Sequence, residues 1–254
     1  MYENTVVQDI TENKEVFLFI DEFSNYLDSE VAMDAFELLR ELGYKVTVID
    51  QLDSARALIS KGFLKEAKAQ IDENIESLKG LITPERPLLG IEPSAILGFR
   101  DEYPKLATDK TAAAALSKNC LLIEEFLVAE AAKGCIKAEQ FTDRRESIKI
   151  HVHCHQKALS NQKVTFDLLN LPLNYHPVII PAGCCGMAGS FGYEAEHYDL
   201  SMQIGELKLF PAIRKASSDS IIAANGTSCR HQIKDGTART ALHPITILKN
   251  ALLS

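Results

Sequence analysis

"KIHVHCHQKAL" (149–159) reads as the end of a β-strand running into the start of a helix, with a cysteine at the junction. The stretch decides the fold because its pattern occurs twice. "VFLFIDEFSNY" (16–26) lies over it and puts Asp21 opposite Cys154. Further along, "VTVIDQLDSARAL" (46–58) lies over "PVIIPAGCCGMAG" (177–189), placing Asp53 and Ser54 opposite Cys184 and Cys185. "IEPSAIL" (91–97) lies over "NGTSCRH" (225–231), placing Ala95 opposite Cys229. The intervals agree: Asp21 to Asp53 spans 32 residues and Cys154 to Cys184 spans 30. Ser54 to Ala95 spans 41, against 44 from Cys185 to Cys229. A repeat of this length marks a duplicated unit.

Each unit alternates strands and helices. Strands are predicted at 15–20, 44–49 and 87–91, and again at 147–153, 177–180 and 220–224. Between them fall amphipathic helices over 29–43 and 63–80, a long alanine- and leucine-rich helix near 109–133, and helices near 160–170 and 195–208. Alternating βα units imply parallel sheets with ligands at the carboxyl ends of the strands. The expected fold is therefore α/β: two tandem Rossmann-like βα lobes with mainly parallel sheets, related by internal duplication. The expected division is a polar extension over 1–14, a first lobe over 15–135 and a second over 136–254.

A net charge of −8 argues against nucleic acid and anionic membrane as partners. The opening "MYENTVVQDITENK" is polar and acidic where a secretory signal would be basic and then apolar. The longest uncharged stretch, His176 to Tyr193, carries two prolines and four glycines and is no membrane span. The expected location is the cytoplasm. There thiols stay reduced, so six cysteines point to metal binding or catalysis before disulfides.

Four of those cysteines carry the signal. The second unit holds Cys154, Cys184, Cys185 and Cys229 at the marked positions, and the first unit holds none there. Each follows a predicted strand, so all four should converge at one end of the second lobe. Gly183 and Gly186 beside the pair let the backbone bend so that both sulfurs face one centre. Four thiolates are a full ligand set for a four-iron, four-sulfide cluster or for a tetrahedral zinc ion.

"HCHQKAL", "CCGMAGSFGYEAEHYDLS" and "ANGTSCRHQI" together resemble the cysteine-rich CCG domain family. That family includes the cysteine-rich subunit of heterodisulfide reductase and the iron–sulfur subunits of glycolate and lactate oxidation. The likeness is greatest to the C-terminal iron–sulfur region of FAD-linked oxidases of the D-2-hydroxyglutarate or D-lactate dehydrogenase and glycolate oxidase type, and it runs from about Val16 to Leu253. The family carries two units, each with a cysteine, a CCG and a closing CxxC. Here the first unit lacks its cysteines, and the second closes on "CRHQ", with Gln232 where the last cysteine would fall. The departure favours an ordinary four-cysteine cluster over the five-cysteine form. The resemblance implies FAD on a partner domain or subunit, a flavoprotein dehydrogenase and a ferredoxin-like domain as partners, and a chain that is a subunit or a fragment of a larger protein.

His151, His153 and His155 alternate along the predicted strand and should share one face. His155 and His231 are candidate additional ligands, with His151 behind them. Cys120, expected in mid-helix, and Cys135 read as small hydrophobes. His197 and Tyr198 read as helix-opening residues. "AGSFG" (188–192) misses a nucleophile elbow at Ala188, and a Cys154–His155 nucleophile would leave the cysteine pair unexplained. Two functions follow: an iron–sulfur electron-transfer module of a flavin-dependent 2-hydroxyacid dehydrogenase, not catalytic on its own, or a structural or regulatory zinc-binding domain.

Overall fold

The computed structural model of the chain describes residues 14–253, so most of the extension expected over 1–14 lies outside the described residues. Two four-stranded sheets form, and every pairing in them is parallel. The first contains β1 (Glu15–Phe19), β2 (Lys45–Ile49), β3 (Leu88–Gly90) and β4 (Cys120–Leu122), in the order β2-β1-β3-β4. The second contains β5 (Glu146–His151), β6 (Tyr175–Ile179), β7 (Ile221–Ala224) and β8 (Ala241–Leu242), in the order β6-β5-β7-β8. The two lobes share one topology, as the duplication requires. No helix among the described residues is long and apolar enough to cross a membrane.

β1, β3 and β7 are apolar on both faces, as covered parallel strands are, whereas β5 alternates Ile148 and Ile150 with Lys149 and His151. Along β1 and just beyond, Val16, Leu18 and Ile20 enter one core while Phe17 and Phe19 enter another. In the second lobe Ile148, Ile150 and Val152 enter the same core as Val16. That core is common to the lobes. Helix Ser29–Glu41 packs on Pro244–Ala251 across it, and Ile123–Ala132 packs on Lys163–Leu169. The outer face of the second sheet has its own cluster, which includes Ile222, Ala224, Cys185 and Cys229.

Two expectations change. The long helix near 109–133 is two helices, Lys110–Ser117 and Ile123–Ala132, with β4 between them. Alanine-rich sequence favours helix locally, but β3 captures Cys120–Leu122 as an edge strand. Cys120 is therefore a strand residue, fully buried, with its thiol donating to the Leu116 carbonyl at 3.3 Å. The second change is a register shift of one. Asp21 caps helix Glu22–Tyr26 by accepting from the N–H groups of Phe23 and Ser24, and His153 caps Cys154–Leu159 by accepting from His155 N–H. By their caps Asp21 matches His153, and Glu22 stands in the place of Cys154. Glu22 accepts from Ser54 N–H at 2.7 Å and from its hydroxyl at 2.8 Å. A carboxylate–serine contact thus occupies the first lobe's corner where the second presents thiols. Ala95 and Cys229 keep their correspondence, each being the third residue of its helix.

Polar contacts also cross between lobes. Glu124 is fully buried and accepts from Asn225 Nδ2 at 3.0 Å, while its other oxygen finds no partner. Burial pushes its carboxyl from an ordinary 4.5 up to about 7. The folded-state value lies above the unfolded one, so the stability it permits is full below pH 4.5 and is lost as pH rises through about 7. The loss is on the order of 3 kcal/mol. Glu124→Gln should therefore unfold in urea with a weaker decline in stability between pH 5 and pH 8 than the parent chain. Equal slopes would show that Glu124 is not the buried acid responsible.

Candidate metal centre

Strand β5 delivers the first group. Its alternation sends Ile148, Ile150 and Val152 to the common core, so His151 faces the outer cluster with Ile222 and Ala224. The strand ends there, His153 becomes a helix cap, and Cys154 opens the next helix. The three alternating histidines therefore do not share one face: the period-2 pattern stops at His151. His153 and His155 stack instead, with ring centroids 5.5 Å apart.

The loop after β6 supplies Cys184 and Cys185. Gly186 has φ +108°, and a Cβ there would lie 2.1 Å from the Ser201 carbonyl oxygen, so only glycine fits. Its N–H donates to Cys184 Sγ at 3.3 Å. Lys157, on the Cys154 helix, clamps the same loop by donating to the carbonyls of Ala182 and Gly183, each at 2.9 Å. From the first lobe, Ser60 Oγ accepts from Ser190 N–H at 3.2 Å. After β7, the helix Thr227–Thr237 brings in Cys229, whose sulfur lies 3.4 Å from that of Cys185. Gly226 makes room for the His153 ring, which a Cβ there would meet at 2.4 Å, and leaves Cys229 Sγ uncrowded, which it would meet at 3.3 Å.

Cys154, Cys184, Cys185 and Cys229 thus come together where the order of the sheet reverses between β5 and β7, the position at which open α/β sheets bind ligands. They line a cavity of about 430 Å³ between the lobes, with Arg56 and Ser60 on the opposite wall. Cys120 and Cys135 do not line it; Cys135 lies beside Lys14. His155 does line it, half-buried, with Nε2 3.4 Å from Arg56 Nη1. Burial, then His153 and Arg56, hold the His155 imidazole below its ordinary range. His231 stands outside the cavity, its Nδ1 2.9 Å from the Tyr193 hydroxyl. His197 pairs with Glu194 and stacks on Phe191.

The four thiols perturb one another. Hydrogen bonds from Cys154 and Cys185, and then from Gly186 N–H, push Cys184 well down, and Cys185 does the same for Cys229. Contact with the Cys184 sulfur, and for Cys185 also with Cys229, pushes Cys154 and Cys185 up. Four clustered sulfurs make a soft donor set that, once deprotonated, suits zinc, iron or an iron–sulfur cluster. Two thiolates on one tetrahedral zinc, with bonds of about 2.3 Å, stand roughly 3.8 Å apart. The 3.4 Å between Cys185 and Cys229 is close to that.

The sequence ranked His151 behind His155 and His231 as a ligand and did not single out Glu92. His151 is buried with neither ring nitrogen making a hydrogen bond of good geometry, and a ring nitrogen lies within 4.8 Å of the sulfurs of both Cys185 and Cys229. Its signal was the odd position at the end of β5. Glu92, from the first lobe, accepts from Thr227 N–H at 2.8 Å and lies 3.9 Å from His153 Nε2. Burial opposes its charge, but His153 and the N–H groups of Thr227 and Ser94 outweigh it and hold the carboxyl below its ordinary range. An acid directly before Pro93, at a helix start, was the sequence cue.

No protein-family model matches the chain. It is 28% identical over 234 residues to D-2-hydroxyglutarate dehydrogenase of Escherichia coli, covering 92% of this chain and 22% of that protein. It is 30% identical to the Pseudomonas putida protein of the same name, over 241 residues, 92% of this chain and 22% of that one. A subunit of the anaerobic glycerol-3-phosphate dehydrogenase of E. coli is 26% identical over 254 residues, 99% of this chain and 62% of that subunit. The chain therefore spans 22% to 62% of the length of these curated relatives. The fold and site define a two-lobed α/β protein with a cysteine–histidine corner able to hold a metal, homologous to parts of dehydrogenase systems.

The loop geometry is testable directly. Gly186→Ala forces a side chain into left-handed backbone, at about 1–3 kcal/mol, and into the Ser201 carbonyl. Its melting temperature should fall by several degrees, and it should lose bound metal to a chelator faster than the parent chain. An unchanged melting curve would contradict the described loop.

Proposed function

We propose that this chain is the electron-transfer module of a flavin-linked 2-hydroxyacid dehydrogenase system, with an iron–sulfur cluster held by Cys154, Cys184, Cys185 and Cys229. The observation that carries the reading is the gathering of these four thiols, from three separate segments, at the switch point of one lobe. The matching corner of the other lobe has a glutamate, a serine and an alanine. The sequence resemblance to the CCG domain family and the homology to dehydrogenases agree with it. On this reading residues 15–135 are a first CCG-like lobe that has lost its ligands, and residues 136–254 are the lobe that binds the cluster. The chain works in the cytoplasm beside a flavoprotein domain or subunit that carries FAD and selects the hydroxyacid, and a ferredoxin-like domain joins the relay.

When bound, the cluster would accept and release single electrons. The protein's own groups set how it does so. Gly186 N–H points at Cys184 Sγ, and such donors tune cluster potentials. Lys157 fixes the loop so that the Cys184–Cys185 pair does not drift. Arg56 and His155 line the cavity and would meet a partner's acidic or polar groups there. His231 stays a candidate donor near the rim through Tyr193.

The zinc reading has one specific observation in its favour, the 3.4 Å spacing of Cys185 and Cys229, which suits a single shared ion. Stopped-flow mixing separates the two. The cluster-loaded chain, mixed with its reduced flavoprotein partner or domain, should be reduced and should pass electrons to an external acceptor. Cys184→Ser should abolish or slow this at least tenfold. Transfer unaffected by Cys184→Ser would end the relay reading in favour of zinc.

A further inference from the structure

We propose that His151 is itself a ligand of the centre, an imidazole bound beside Cys185 and Cys229. The inference rests on the reading of this corner as a metal centre and goes beyond the four-cysteine set.

Three observations carry it. First, His151 is 1% exposed and neither ring nitrogen makes a hydrogen bond of good geometry, the Cys229 sulfur being its one polar neighbour of note. A neutral imidazole offers one donor and one acceptor, and buried polar groups in folded proteins are rarely left without partners. Second, one of its nitrogens and the sulfurs of Cys185 and Cys229 lie mutually within 4.8 Å, three buried donors around one point. Third, the other histidines near the centre are already engaged. His153 accepts from His155 N–H and faces Glu92, His155 meets Arg56, and His231 meets Tyr193.

Position makes the imidazole hard to redirect. His151 ends the central strand β5 and is paired in register with Ala224 of β7, so its side chain is held on the thiol face of the sheet. Gln232, where a closing cysteine would stand, donates its amide to Ser201 Oγ at 2.9 Å and is committed there. Gln232 therefore supplies no ligand, whereas His151 stands within reach of two of the thiols. A neutral imidazole in place of a thiolate lowers the negative charge on the centre, and that raises a cluster's reduction potential.

The test is pulsed EPR of the full chain, loaded with iron and sulfide without oxygen, reduced with dithionite, and prepared with ordinary and with ¹⁵N-labelled histidine. The wild-type centre should show the strong nitrogen coupling of a directly bound imidazole, changed by the label. His151→Asn should lose that coupling. His151→Cys should lose it while keeping iron and sulfide, and its midpoint potential should fall below the parent's. A wild-type cluster without the coupling, or a coupling that survives His151→Asn, would overturn the proposal and leave the metal centre standing. If the chain takes zinc and no cluster, the relay reading fails, and X-ray absorption of the zinc form decides the ligand. A nitrogen in the zinc shell, lost in His151→Cys, supports it, and an all-sulfur shell overturns it. A chain that binds neither iron and sulfide nor zinc overturns both readings.

Discussion

The carboxylate of Glu92 is the contact on which the site depends. It belongs to the first lobe, yet it accepts the first N–H of the helix that carries Cys229. That helix starts at Gly226, which has no side chain to cap it and can have none, because His153 fills the space. The second lobe cannot both admit His153 and cap its own helix. The cap therefore comes across the lobe boundary. Hydrogen bonds to charged groups contribute about 1.5–3 kcal/mol each, and this one is fully buried.

Two further polar side chains of the first lobe converge on the same segment. Asp28 pairs with Arg230 at 2.6 Å, and Arg230 in turn donates to the carbonyls of Ala224 and Asn225 at the end of β7. Glu124 accepts from Asn225. The first lobe has no thiols at its own corner, but its acids fix the strand end and helix start from which Cys229 projects. Its retention is a matter of support: without Glu92, Asp28 and Glu124, the β7–helix junction would bury unpaired donors. The common core beneath, with Leu38, Leu39, Leu168 and Leu248 fully buried, holds the lobes at the spacing that these contacts need.

Much of this was readable in the sequence, and the parts that were not have physical reasons. Strands with both faces buried announce themselves as apolar runs and β5 by its alternation, so β1, β3, β5 and β7 could be placed within a residue or two. β4 and β8 have three and two residues, too few for any period to show, and alanine-rich flanks hid the first of them. The duplication exposed the thiols because a cysteine opposite a non-cysteine is conspicuous. It could not set the register at Asp21, since strand alternation does not tell where a strand stops and its helix cap begins. The same uncertainty put His151, His153 and His155 on one face. Glu92 was hidden for another reason: it acts on the other lobe, and no local pattern reports a contact between residues 92 and 227.

The central claim is that the second lobe alone carries a metal centre while the first lobe supports it. Iron, acid-labile sulfide and zinc should be measured together in the full chain after oxygen-free purification and reconstitution, for the parent, Cys229→Ser and Asp53→Ala. The account predicts one iron–sulfur cluster per chain in the parent, the same content in Asp53→Ala, and its loss in Cys229→Ser. Loss of iron in Asp53→Ala, or full cluster content in Cys229→Ser, would contradict it.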